Sequence, residues 1–149
     1  MTICIVDTSI VHELLNVPGW ASRHDELVAA YAERQRREEA FLLPMAVLIE
    51  TGNHIAQLAD GARRRTTAER FQQFARTALA GQSPFTPTPL PSPLDIATWL
   101  DDFPDRAMQK IGLADRSLIA LWEHHRQLHR ARRVYIWSLD QHLTGYDTE

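Results

Sequence analysis

The run Ile3-Cys4-Ile5-Val6 is continuous, apolar and β-branched, and it stops at a carboxylate, Asp7. A strand with one wet face alternates apolar and polar side chains, whereas an unbroken apolar run belongs in a parallel sheet covered on both sides. Parallel strands need crossover connections of a dozen or more residues, usually helical. The rest of the chain supplies them. Further strand signals fall at Phe41 to Leu43 and at Val134 to Leu139, the second ending at another aspartate, Asp140. The segment from Gln82 to Pro93 holds five of the eight prolines and cannot be helical. It reads as an edge strand, Phe85 to Leu90, because prolines are tolerated at sheet margins.

Helical patterns fill the intervals. Thr8 and Ser9 can cap a helix carrying Ile10, Val11, Leu14 and Leu15, stopped by Pro18 and Gly19. Ser22, with Asp25 as reciprocal partner, opens a second with Leu27, Val28, Tyr31 and Ala32 as its stripe, and the charged stretch Glu33 to Glu39 reads as a solvated end. Pro44 suits the first position of a helix that carries Glu50. Thr66 and Glu69 form a capping-box pattern ahead of Phe71, Phe74, Ala75 and Ala78, with Arg63, Arg64 and Arg65 just before it. Ser92 and Pro93 open a helix with Ile96, Trp99, Leu100 and Phe103 as its stripe. A short helical piece follows around Met108, and a long helix runs from about Ala114 to His129 after Gly112. The alternation predicts an α/β fold, a parallel sheet of four or five strands flanked by helices, in a single domain over residues 1–149. Ligands of such sheets bind beyond the carboxyl ends of the strands, where Asp7 and Asp140 both sit.

A chain of 149 residues with 44% hydrophobic content can bury its own core. No apolar run is long enough to span a bilayer and no signal-peptide pattern opens the chain, so the expected setting is the cytoplasm, without a membrane partner. The single cysteine, Cys4, lies inside the first strand and offers neither a disulfide nor a thiolate zinc site. A net charge of -3 excludes nucleic-acid binding by gross positive charge, although arginines cluster at 63–65 and 70 and again at 126–133. His125 and His129 have a zinc-compatible spacing but no third ligand in view, and a helix C-terminus favours cations in any case.

Four carboxylates carry the functional argument. Asp115 shares a helical face with Leu118, Ile119 and Trp122, which aims it along a buried stripe, where an unpaired charge is costly. Glu50 sits where its helix face turns from Ala46 and Val47 to Asn53, His54 and Gln57. Taken singly, Asp115 also reads as a helix cap and Glu50 as a solvated side chain. Gathered with Asp7 and Asp140, they would form a negative cluster suited to Mg²⁺ or Mn²⁺, hard ions that prefer carboxylate and water oxygens.

The segments IVDTSIVHELL, LPMAVLIETGNHI, GLADRSLIALW and YIWSLDQHL resemble, in order and spacing, the four signature regions of the PIN-domain ribonucleases, most closely the toxins of VapBC-type toxin–antitoxin pairs. The resemblance implies a PIN-like sheet and a metal-dependent endoribonuclease with Asp7, Glu50, Asp115 and Asp140 as its catalytic, metal-binding acids. It also implies Ser9 and Ser138 as supporting polar residues. A further acidic residue common two positions past the last aspartate is replaced by His142. Expected partners are an RNA substrate, a cognate antitoxin whose C-terminal segment covers the acidic cleft, and a second copy of the chain as a homodimer. Arg63, Arg64 and Arg65 would steer the RNA backbone or else form a solvated loop. The competing class is a nonenzymatic PIN-like module that binds protein or RNA. A haloacid-dehalogenase-type phosphatase wants a second aspartate where Ser9 stands, and a receiver domain wants paired early acids that this chain lacks.

Overall fold

In the computed structural model, which describes residues Met1–Glu149, the opening apolar run is an interior strand of a parallel sheet. β1 (Ile3–Val6) lies between β2 (Ala40–Pro44) and β4 (Val134–Trp137), and β3 (Phe85–Thr88) pairs with the outer side of β2. The order is β3-β2-β1-β4, with every pairing parallel. Seven helices connect and cover the strands: α1 (Thr8–Leu14), α2 (His24–Arg36), α3 (Met45–Ala56), α4 (Gly61–Leu79), α5 (Pro93–Leu100), α6 (Phe103–Met108) and α7 (Leu113–Leu128). No helix is long and apolar enough to cross a membrane.

All four residues of β1 are buried, as an unbroken apolar strand requires. The register sets Phe41 beside both Cys4 and Phe85. Tyr31 of α2 stacks on Phe85 at 5.3 Å, and Phe74 of α4 meets the same ring edge-on at 5.2 Å. On α7, Trp122 donates its indole N–H to the Val134 carbonyl at 2.9 Å, tying that helix to β4. Phe41 and Phe85, both buried, contribute roughly 1.5–3 kcal/mol each, and the partly buried Tyr31, Phe74 and Trp122 less. Cys4 is a core residue, its thiol pushed up to about 12 chiefly by burial, which makes it a poor nucleophile.

The strand assignments survive with altered ends: β3 stops at Thr88 and β4 at Trp137, short of expectation, while β2 extends one residue further on each side, to Ala40 and Pro44. Several helix starts differ from expectation. Thr8 is the first residue of α1 rather than its cap, and the Ser9 hydroxyl donates to Asp7 instead of capping the helix. α2 begins at His24, two residues after Ser22, and no Ser22–Asp25 box forms. The buried Glu13 carboxylate takes that place, accepting the backbone N–H groups of Ser22 at 2.8 Å and Arg23 at 2.9 Å. α4 starts at Gly61, capped by Asp60, so Thr66 lies within the helix and bonds back to the Ala62 and Arg63 carbonyls. The sequence pattern at Thr66 and Glu69 mimics a start because a mid-helix threonine satisfies its hydroxyl in this way. Pro44 closes β2 and precedes α3 rather than opening it. On α2, Val28 is exposed and the buried stripe runs through Leu27, Tyr31 and Arg34.

Glu39 departs furthest from its expected solvated end. It is buried, accepts the Tyr135 hydroxyl at 2.5 Å and pairs with Arg37 at 3.3 Å. Arg34 donates to the same Tyr135 oxygen at 2.8 Å and lies over the Trp137 ring. This network is a polar tie between α2 and β4, not a ligand site.

Candidate acidic site at the strand ends

Parallel pairing of β1 with β4 carries Asp7 and the segment Ser138–Asp140 to one rim of the sheet. The Asp7 N–H continues the ladder, donating to the Trp137 carbonyl at 3.0 Å. Two serine hydroxyls then converge on one oxygen of Asp7: Ser138 donates to Oδ2 at 2.6 Å and Ser9 at 2.8 Å. Both hydroxyl oxygens also accept from the backbone of the last segment, Ser9 from Leu139 and Ser138 from Asp140. The pair pins the turn after β4 against the end of β1, and it leaves Asp7 Oδ1 without a protein donor. Asp140 accepts the His142 N–H on Oδ1 at 2.9 Å, which leaves its second oxygen free in the same sense.

Asp115, in the first turn of α7, and Glu50, in the middle of α3, complete the group. Burial and then the charges of Asp7, Asp140 and Glu50 push the Asp115 carboxyl up to about 6, with His142 opposing. The Glu50 carboxyl is likewise raised, first by burial, with Asp7 adding and His54 and Thr8 counteracting. Asp115 thus feels all three of the other acids, and Glu50 feels Asp7. None of them is paired with an arginine or lysine. Asp115 is not a cap: Gly112 holds that position.

The four acids do not form a closed cage: no three His, Cys, Asp or Glu side chains come together tightly enough to hold a metal ion. The donors of the four acids are nevertheless all hard oxygens, two of them free of protein hydrogen bonds. That chemistry fits Mg²⁺ or Mn²⁺, because Mg²⁺ usually retains several waters and is held by only one or two carboxylates.

Arg63, Arg64 and Arg65 are helical, in the first turns of α4, and not a loop. Arg64 donates to the Leu58 carbonyl, Arg65 pairs with Glu69 at 3.0 Å, and all three are exposed. His125 and His129 stack at 5.8 Å with no third ligand. A separate cavity of about 320 Å³ between the proline-rich segment, α5 and α7 contains none of the four acids.

Sequence reasoning found no pattern for His12, which proves to be buried and joined to His54 by a 2.9 Å Nε2–Nδ1 contact. Burial, and then His54, pull its pKa down to about 4, so His12 is neutral at pH 7. Forty-two residues separate the two histidines, and no local spacing marks the pair.

Comparison of the chain with family models, curated proteins and solved structures gives no match.

One consequence of the crowded charge is measurable without substrate. An acid whose pKa rises from 3.8 unfolded to about 6 folded binds more protons in the native state between those values. Its ionisation therefore lowers stability as pH climbs from about 4 to about 6, and the penalty is complete at pH 7. Asp115→Asn should stabilise the metal-free protein at pH 7 by about 1–2 kcal/mol, after discounting for partial exposure. The advantage should vanish near pH 4. His12 contributes the opposite trend in both proteins, losing stability as pH falls from 6.5 towards about 4. The difference between parent and variant in urea unfolding isolates Asp115, and an unchanged difference across this window would contradict the coupling.

Proposed function

We propose that this chain is a divalent-metal-dependent endoribonuclease of the PIN type that its four segments resemble, acting in the cytoplasm as the toxin of a toxin–antitoxin pair. One observation carries the reading: Asp7, Asp140 and Glu50 all raise the proton affinity of Asp115, Asp7 raises that of Glu50, and no arginine or lysine pairs with any of the four, leaving only His142 and His54 as opposing charges. A bound Mg²⁺ or Mn²⁺ would supply charge neutralisation and a more acidic water.

Asp7, Asp115 and Asp140 are the residues that would hold the ion. Ser9 and Ser138 keep Asp7 in one rotamer by occupying Oδ2, so that Oδ1 is presented without reorganisation. Glu50, its proton affinity raised by burial, suits either water-mediated metal contact or accepting a proton on its carboxylate from the attacking water. The exposed arginines at the start of α4 supply sequence-independent phosphate attraction. The same unpaired acids suit a cationic segment of an antitoxin, which would compete with metal and RNA.

Purified protein should cut RNA with Mg²⁺ or Mn²⁺ and stop when the ion is chelated. The openness of the acidic group is the observation that favours the nonenzymatic alternative. RNA binding without any metal-dependent cleavage would select that alternative.

A further inference from the structure

Trp20 is the only aromatic among the large apolar side chains left exposed, with half its surface open, yet its ring is held firmly. His54 lies parallel to it at 4.2 Å and 8°, and the buried His12 supports both rings, at 4.7 Å from Trp20 and hydrogen-bonded to His54. An indole needed only for packing would be covered. Here one face is backed by a fixed imidazole while much of the ring stays in water.

The position of this stack gives it a use. Glu50, His54 and Gln57 recur at i, i+4 and i+7 along the second half of α3 and its C-cap, with Asn53 beside them, and all four line one shallow, open cleft of about 480 Å³ that Leu90 also lines. The lining thus includes an acid of the candidate site, the imidazole that backs Trp20, and two carboxamides, one on either side of that imidazole along the helix. Trp20 adjoins the cleft through His54, and each carboxamide offers both a donor and an acceptor. Just beyond Gln57, Arg64 is anchored on the Leu58 carbonyl at the foot of the exposed arginine turn.

We infer that Trp20 and the α3 cleft form a nucleobase-binding track for single-stranded RNA, with one unstacked base resting on the Trp20–His54 platform and its edge met by Asn53 or Gln57. Duplex RNA keeps its bases stacked and would not fit this role, whereas unpaired bases commonly stack on aromatic side chains and are read along their edges. The inference deepens the ribonuclease reading by naming residues that would hold an unpaired base. It rests on that reading for RNA as the ligand.

Binding separates the two ideas. Short single-stranded RNA carrying a fluorescent purine analogue is titrated, with Mg²⁺ present, into Asp7→Asn protein and into Asp7→Asn protein that also carries Trp20→Leu, Trp20→Phe or Asn53→Ala with Gln57→Ala. Trp20→Leu should weaken binding about tenfold and abolish quenching of the analogue, and Trp20→Phe should restore most of both. The double carboxamide variant should change the preference among bases while leaving the quenching, and matched duplex should bind without quenching. Equal affinity and quenching for Trp20→Leu, with its melting temperature unchanged, would overturn the track even if the parent cleaves RNA. Trp20-dependent quenching in a parent that never cleaves would uphold the track and sink the nuclease reading. No binding to single strands would overturn the track as well.

Discussion

Asp7→Asn protein should lose at least ~100-fold of the metal-dependent RNA cleavage of the parent while remaining folded. The side chain changes little in shape, and an amide oxygen can still accept from Ser9 and Ser138, which bond to Asp7 Oδ2 at 2.8 and 2.6 Å. What disappears is a formal charge at the convergence of two strand ends, together with the bare Oδ1 that neither serine occupies. Ser138→Ala should lower cleavage by a smaller factor, about tenfold, because it releases both Asp7 and the Asp140 N–H without removing an acid. Parent and variants are to be compared on one RNA at matched protein and Mg²⁺. Equal cleavage by Asp7→Asn would identify a contaminating nuclease and remove the basis of the proposal.

Glu13→Ala should destabilise the protein by about 3 kcal/mol, the largest single-residue effect on folding expected here. Glu13 is 1% exposed, and its carboxylate receives the two N–H groups that lead into α2. The N-cap residue Arg23 makes no side-chain cap of its own, so truncation leaves both part-buried N–H groups without their acceptor and opens a cavity. Glu13→Gln keeps an acceptor and should cost about half as much. Urea denaturation measures both, and a Glu13→Ala loss below ~1 kcal/mol would show that the loop rearranges around water instead. The effect reaches beyond stability: Trp20 lies on the loop that Glu13 anchors, so cleavage and RNA binding should become less selective in Glu13→Gln before the fold is lost.

The sequence was most legible where one residue type has one use. Four consecutive apolar residues, three of them β-branched, can only be a doubly covered strand, and Asp7, directly after β1, and Asp140, three residues past the end of β4, fall on the same rim once those strands pair in parallel. Asp115 was legible because three apolar residues share its helical face. Hydroxyl and carboxyl groups with competing partners were not. Ser9 has the signature of a helix cap, yet a carboxylate and a backbone N–H from the far end of the chain claim it. Glu39 closes a run of charges that looks solvated, and only the approach of Tyr135, ninety-six residues away, explains its burial. Asp60, the true start of α4, was passed over because Thr66 and Glu69 offered a more familiar pattern five residues into the helix. The His12–His54 contact is likewise long-range. Periodicity reports which face is apolar, not which distant polar group will meet it.

The margins of the sheet have a bearing on how this protein behaves at high concentration. β3, at one margin, contains Pro87, which cannot donate a ladder hydrogen bond. Along β4, at the other, the segment around Asp147 runs antiparallel: Tyr146 accepts from the Ile136 N–H, and Thr148 both donates to the Val134 carbonyl and accepts from its N–H. Neither flank offers a free template on which another chain could zip up. Trimming the residues after Leu143 would strip the second guard and expose a short aromatic strand, so such a shortened protein would turn to strand-swapped oligomers or fibrils before it lost its helices.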